Sequence, residues 1–312
     1  MGVISWNFIV ASDLFGAGMS AGALIASLIA DFSGNRRYGR IVKIGAFIAP
    51  FPVSIGVSAL IFDLERPLSF WKLYTSFQSS SIMSLGSWIL LLFLSISAAI
   101  FYMYIPDRYD FLKIKSWITG GRLSISIKVA GLILAFATAT YTGVLLSVLV
   151  ARPFWNTPLL PIVFLFSAVI DGIAAIGFVL YANPWHAGLQ DELVSSKRFM
   201  RKFYVTLLAL IFIRLSFLIA GFYRSTEYAP SALGVIMGGP LTVLFWLGVI
   251  VIGMVLPLIY GLFEILPSRS GAKTTNNQSL LALLVPASVL IGGFMLRYVV
   301  VYAGQITGPI LQ

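Results

Sequence analysis

The sequence contains no cysteine and a single histidine, His186. Without thiols the chain cannot ligate an iron–sulfur cluster or close a disulfide. One imidazole excludes a b-type haem held between two histidines, and a histidine-rich metal site with it. Charge is scarce too: only 10% of the 312 residues are Asp, Glu, Lys or Arg, against about a quarter in a soluble domain. The long apolar runs lack the polar–apolar alternation of a transmembrane β-barrel. The first run has no basic segment before it and continues for a full span, so no cleavable signal peptide is expected.

What is present is hydrophobic length. Apolar residues make up 59% of the chain, and its mean hydropathy is +0.96. Runs of 18 or more recur from end to end, each enough to cross about 30 Å of hydrocarbon. The expected fold is an all-α integral membrane protein forming one polytopic domain over 1–312. Eight transmembrane helices are predicted at about 6–30, 44–62, 82–104, 123–150, 159–182, 203–222, 241–265 and 279–302.

The net charge of +10 follows from topology. Arg36, Arg37, Arg40, Lys43, Arg108, Lys113, Lys115, Arg122, Lys197, Arg198, Arg201, Lys202, Arg269 and Lys273 fall in alternate loops. The other loops hold only Arg66, Lys72, Arg152 and Arg224. Fourteen against four puts both termini outside by the positive-inside rule. Anionic lipid, and not nucleic acid, is the partner this basic excess implies. The outer connections, DLERPLSFWKLY (63–74) and ARPFWNTPLLP (151–161), are rich in proline and aromatics. They read either as headgroup anchors or as a docking surface, with Asp63, Arg66, Trp71, Arg152 and Trp155 its candidate residues. Both carry Arg-Pro followed shortly by Phe-Trp, a short match and the only sign of a repeat.

Ionisable residues inside spans are functional candidates by default. Here they are Asp13, Asp171 and Arg214, with Lys128, Glu264 and Arg297 nearer the ends, where snorkelling to headgroups is expected. Asp13 shares a helical face with Gly16, Ala17, Ser20 and Ser27, small residues that mark close helix packing. It therefore points into the bundle, about 10 Å from the outer end. Asp171 and Arg214 suggest a buried ion pair or, with Glu264 and Lys128, a proton path. Tyr141, in the locally polar stretch ATATYTG, lies at a depth similar to Asp13. A carboxylate and a phenol facing one cavity suit the two oxygens of a quinone.

Several motifs together resemble the NrfD/polysulfide reductase membrane-subunit family. They are FGAGMSAGA in the first span, DLERPLSFWKLY…SIMSLGSW after the second, YTGVLLSVLVARPFWNTPLLPIVFLFSA (141–168), and RYVVVYAGQ near the C-terminus. They keep their order from the first helix to the last, and the Tyr-Thr-Gly…Arg-Pro-Phe-Trp-Asn segment is the most specific. The resemblance implies a haem-free, metal-free, eight-helix subunit of two four-helix bundles in the cytoplasmic membrane. It implies (mena)quinone binding near the outer face, and electron exchange with a docked 4Fe-4S subunit serving a molybdopterin enzyme on the periplasmic side. That enzyme is of the polysulfide, thiosulfate, tetrathionate or nitrite type.

In that family a first-helix histidine and an asparagine hold one quinone carbonyl, and a fourth-helix tyrosine holds the other. The tyrosine position falls on Tyr141, the histidine position on Asp13 and the asparagine position near Val10, with Ser20 a further candidate contact. Two of the three contacts are thus altered here. A secondary transporter or channel and a passive membrane anchor are the rival classes.

Overall fold

The computed structural model describes residues 6–35, 38–63, 67–75, 77–78, 81–110, 113–150, 152, 154–182, 197–228, 230–265 and 276–307, with most of their side chains. The described residues are mostly helical, joined by turns and short irregular connections, and contain no strand. The long helices are α1 (Phe8–Phe32), α2 (Gly39–Asp63), α3 (Ile82–Tyr104), α4 (Gly121–Ser147), α5 (Leu159–Ala182), α6 (Lys197–Tyr228), α7 (Leu244–Ile265) and α8 (Asn276–Ile306). Six are long and apolar enough to cross a membrane: α1 to α5, and the Leu283–Ile306 part of α8. The apolar stretches Val205–Gly221 in α6 and Leu244–Tyr260 in α7 are shorter.

Each helix end and break has a local cause. Asn7 caps α1, its side-chain oxygen accepting from the Ile9 amide at 2.9 Å. Alpha2 is two pieces, Gly39–Ile48 and Pro50–Asp63, meeting at Ala49. Pro50 and Pro52 carry no N–H and interrupt the helical ladder there. Lipid offers no replacement partner, so a neighbouring helix must supply one. Ser20 of α1 does so, its hydroxyl accepting from the Val53 amide at 3.1 Å. Alpha7 begins as a π-wound stretch, Leu244–Val255, and continues as an α-helix from Leu256.

Alpha1 is the central strut. Two thirds (67%) of its apolar window is buried, against 28% for α3, and it packs on α2, α4, α5 and α8. Close approach is achieved by removing side chains. A Cβ on Gly22 would strike the Ala168 carbonyl, and one on Gly172 would strike the backbone of Gly22 and Ala23. Between helices in lipid, such packing replaces the hydrophobic drive. Apolar cores lie among α1–α4 with the start of α5 (Leu24, Val53, Phe93, Ala139, Ala168) and among α5–α8 (Ile170, Leu207, Met254, Val289). A third joins the two halves through Leu14, Trp155, Phe164 and Val300.

Candidate functional site

Four helices contribute to the region around Asp13. The Asp13 side chain is 5% exposed and packs against the bare backbone of Gly56 on α2, where a Cβ would collide with its carboxylate. Its Oδ1 is buried with no hydrogen-bond partner among the described residues. Tyr141 on α4 packs against Gly86 of α3, whose missing side chain makes room for the phenol ring and hydroxyl. Asp13 and Tyr141 stand on helices that pack against each other, α1 and α4. One helical turn from Tyr141, the Thr138 hydroxyl is also buried without a partner among the described residues. Orphaned buried polar atoms cost roughly 1–3 kcal/mol each, so two in one neighbourhood need an explanation. Ser20 does not join them. It is wholly buried and engaged by the Val53 amide, about two turns inward from Asp13.

The charges deeper in the bundle pair differently from the sequence expectation. Asp171 is bridged at 2.7 Å by Arg297, and both are fully buried. Arg214, the expected partner, instead donates to the Ser167 hydroxyl at 3.3 Å. Arg297 is therefore no snorkelling residue. It faces the bundle interior, held by Ser167, Asp171 and the Gly293 carbonyl. Lys128 is half-buried and donates to Asp31 at 2.8 Å, with the Tyr104 hydroxyl donating to the same carboxylate. These contacts tie α1, α3 and α4 together at the end opposite Asp13. Of the four proposed path residues, Asp171 and Arg214 both contact Ser167, Lys128 pairs with Asp31, and the Glu264 side chain lies outside the described residues.

Of the two Arg-Pro connections, the second is also more internal than expected. Trp155 is buried, its indole N–H donating to the Val300 carbonyl at 2.7 Å and its ring stacked on Trp6 at 5.3 Å. A ring enclosed this way is a tertiary anchor and presents nothing to a partner. Arg152 donates to the Gln305 carbonyl at 2.9 Å, fastening its loop to the end of α8. Gln305 in turn bonds both backbone groups of Trp6, so RYVVVYAGQ closes the chain's two ends on each other. Of the docking candidates, Trp71 is 52% exposed, Asp63 is exposed and accepts from Asn7, and Arg66 is outside the described residues. The small apolar cavity of about 70 Å³ lined by Phe154, Phe217, Gly221 and Phe245 belongs to the α5–α8 half. Among the described residues no cluster of His, Cys, Asp and Glu is suited to a metal.

Sequence reasoning missed Gly56 and Gly86, and took Arg297 for a snorkelling residue. The two glycines follow only from helix rotation, which periodicity leaves open. Arg297 opens the C-terminal motif already noted, and its place in the middle of an apolar run was the available signal.

A bundle of apolar helices, six of them long and apolar enough to cross a membrane, enclosing paired charges and a buried carboxylate defines a multi-pass membrane protein with a polar interior. Comparison with known proteins narrows that class. The family model described as "Polysulphide reductase, NrfD" matches residues 1–309. The chain is 33% identical over 316 residues to a component of the polysulfide reductase of Wolinella succinogenes, covering 97% of this protein and 95% of that one. It is 32% identical over 320 residues to a protein NrfD homolog of Haemophilus influenzae, with the same coverage. It is 25% identical over 327 residues to a component of the selenate reductase of Mesobacillus selenatarsenatis, covering 95% and 73%. The chain belongs to the NrfD/polysulfide reductase family of membrane proteins.

Proposed function

We propose that this chain is the quinone-reactive membrane subunit of a respiratory oxidoreductase complex, binding a quinone such as menaquinone between Asp13 and Tyr141. The supporting observation is the orphaned, buried Asp13 Oδ1 on a helix packed against the one that carries Tyr141, with Gly56 and Gly86 making room for the two side chains. These residues fit a ligand carrying two oxygens. Tyr141 donates its O–H to one oxygen. Asp13 serves the other: as a carboxylate it takes a proton at Oδ1, and as a neutral acid it donates one.

A bound quinol supplies two electrons and two protons, and a quinone takes up the same. The chain has no thiols for a cluster, so its partner in electron exchange is a docked iron–sulfur subunit. Relatives named as parts of polysulfide and selenate reductases support a molybdopterin-type catalytic partner, of the polysulfide, sulfur or thiosulfate class. In this reading α6 and α7 complete eight spans, both termini face the periplasm, and the partners dock there on the loop bearing Asp63, Arg66 and Trp71. The decisive test is quinol-dependent turnover of the assembled complex carrying Asp13→Asn or Tyr141→Phe. Both lower turnover, and full activity in both overturns the site. A passive anchor predicts no sensitivity to quinone-site inhibitors.

A further inference from the structure

We propose that Arg297 is a positioning residue for the Asp13 carboxylate, linking it mechanically to the buried Asp171. The inference rests on the reading of Asp13 as the ligand-facing group. Its evidence is a set of contacts on one guanidinium. Nη1 grips α5 and α8, donating to Asp171 Oδ2 at 2.7 Å, Ser167 Oγ at 3.1 Å and the Gly293 carbonyl at 3.1 Å. Nε reaches across to α1 and donates to the Leu14 carbonyl at 3.1 Å. The cation also lies 5.5 Å from the centre of the Phe15 ring, within cation–π range. Leu14 and Phe15 are the two residues directly after Asp13.

Room for this reach is made by Gly18, where a Cβ would collide with Nη2. A carbonyl in mid-helix accepts from the amide four residues on and keeps a second lone pair for a side chain. Leu14 therefore bonds Arg297 without breaking α1. One planar fork thus fixes the turn that aims Asp13 and is itself held by a carboxylate on another helix. Lysine cannot reproduce this, since its donors radiate from one point. Arg214 shares the Asp171 cluster through Ser167 but has no hydrogen bond to α1 among the described residues.

The test is infrared spectroscopy of the purified full chain with ¹³C-labelled aspartate and no quinone added. The Asp13 band is assigned by its loss in Asp13→Asn. Arg297→Lys and Asp171→Asn are expected to shift that band, and Arg214→Gln to leave it in place. In the same preparations, affinity for a quinone-site inhibitor is expected to fall about tenfold or more in Arg297→Lys, as for loss of a charge-assisted bond. An unmoved band in both Arg297→Lys and Asp171→Asn overturns the link. An equal shift in all three overturns it too, because that is long-range charge and not positioning. Should Arg297→Lys fail to fold, Asp171→Asn against Arg214→Gln decides. A band that shifts as expected while Asp13→Asn binds the inhibitor normally keeps the link and refutes the quinone site.

Discussion

Gly86→Ala and Gly221→Ala add the same methyl group to two membrane helices with opposite expected results. A Cβ at Gly86 falls inside the Tyr141 phenol. Restoring ordinary contact of about 3.5–4 Å moves the ring or the helix by on the order of 2 Å. Overpacking of this kind costs about 1–3 kcal/mol. The displaced phenol then loses a hydrogen bond to bound ligand, worth about 1 kcal/mol, or roughly fivefold in affinity at about 1.4 kcal/mol per tenfold. At Gly221 a Cβ meets nothing within 4 Å, and Gly→Ala in a helix is favourable by up to about 1 kcal/mol. Thermal unfolding in detergent and titration of a fluorescent quinone analogue read the two terms separately. Gly86→Ala lowers both stability and affinity, and Gly221→Ala lowers neither. Because Gly221 lines the α5–α8 cavity, the reverse pattern of affinities refutes the Asp13–Tyr141 site and points to that cavity.

Three further outcomes are expected. Asp171→Ala strands two buried guanidinium groups and destabilises the protein by about 3–5 kcal/mol, and an unchanged melting temperature contradicts the pairing with Arg297. Trp155→Phe removes the bond to Val300, worth about 0.5–1.5 kcal/mol, and leaves a void where the larger indole sat, so it lowers stability by more than that with partner capture intact. Trp71→Ala, at an exposed ring, does the opposite. At Asp107, which is outside the spans, the Lys115 ammonium holds the carboxyl below its ordinary value. A depressed folded-state value stabilises above the unfolded value of about 3.9 and is lost as pH falls through the folded one. Lys115→Met should therefore lower stability slightly above that range, weakly because Asp107 is exposed, and the two proteins should converge as pH falls below it.

Hydropathy alone located most of the helices, since lipid permits only satisfied backbones and long apolar runs. Alpha3 and α5 begin and end where the runs do, at Ile82–Tyr104 and Leu159–Ala182. The inward aim of Asp13 was legible too, from the small residues on its face. Partner choice among charges was not. Whether Asp171 meets Arg214 or Arg297 depends on helix rotation and crossing, and α8 reaches α5 only through the assembled bundle. Trp155 misled for a similar reason: an aromatic in an outer loop resembles an anchor until Gly304 opens a slot for it. Gly56 and Gly86 carried no signal of their own, because a glycine's role is set by what lies opposite.

The most direct measurement of the central claim is photolabelling of the purified protein with an azido-quinone, mapped by mass spectrometry and competed with unlabelled menaquinone. The account predicts saturable labelling confined to the outer halves of α1 and α4, around Asp13 and Tyr141, and needing about fivefold more probe to saturate in Gly86→Ala. Labelling on α5–α8, or labelling that excess menaquinone does not displace, contradicts it.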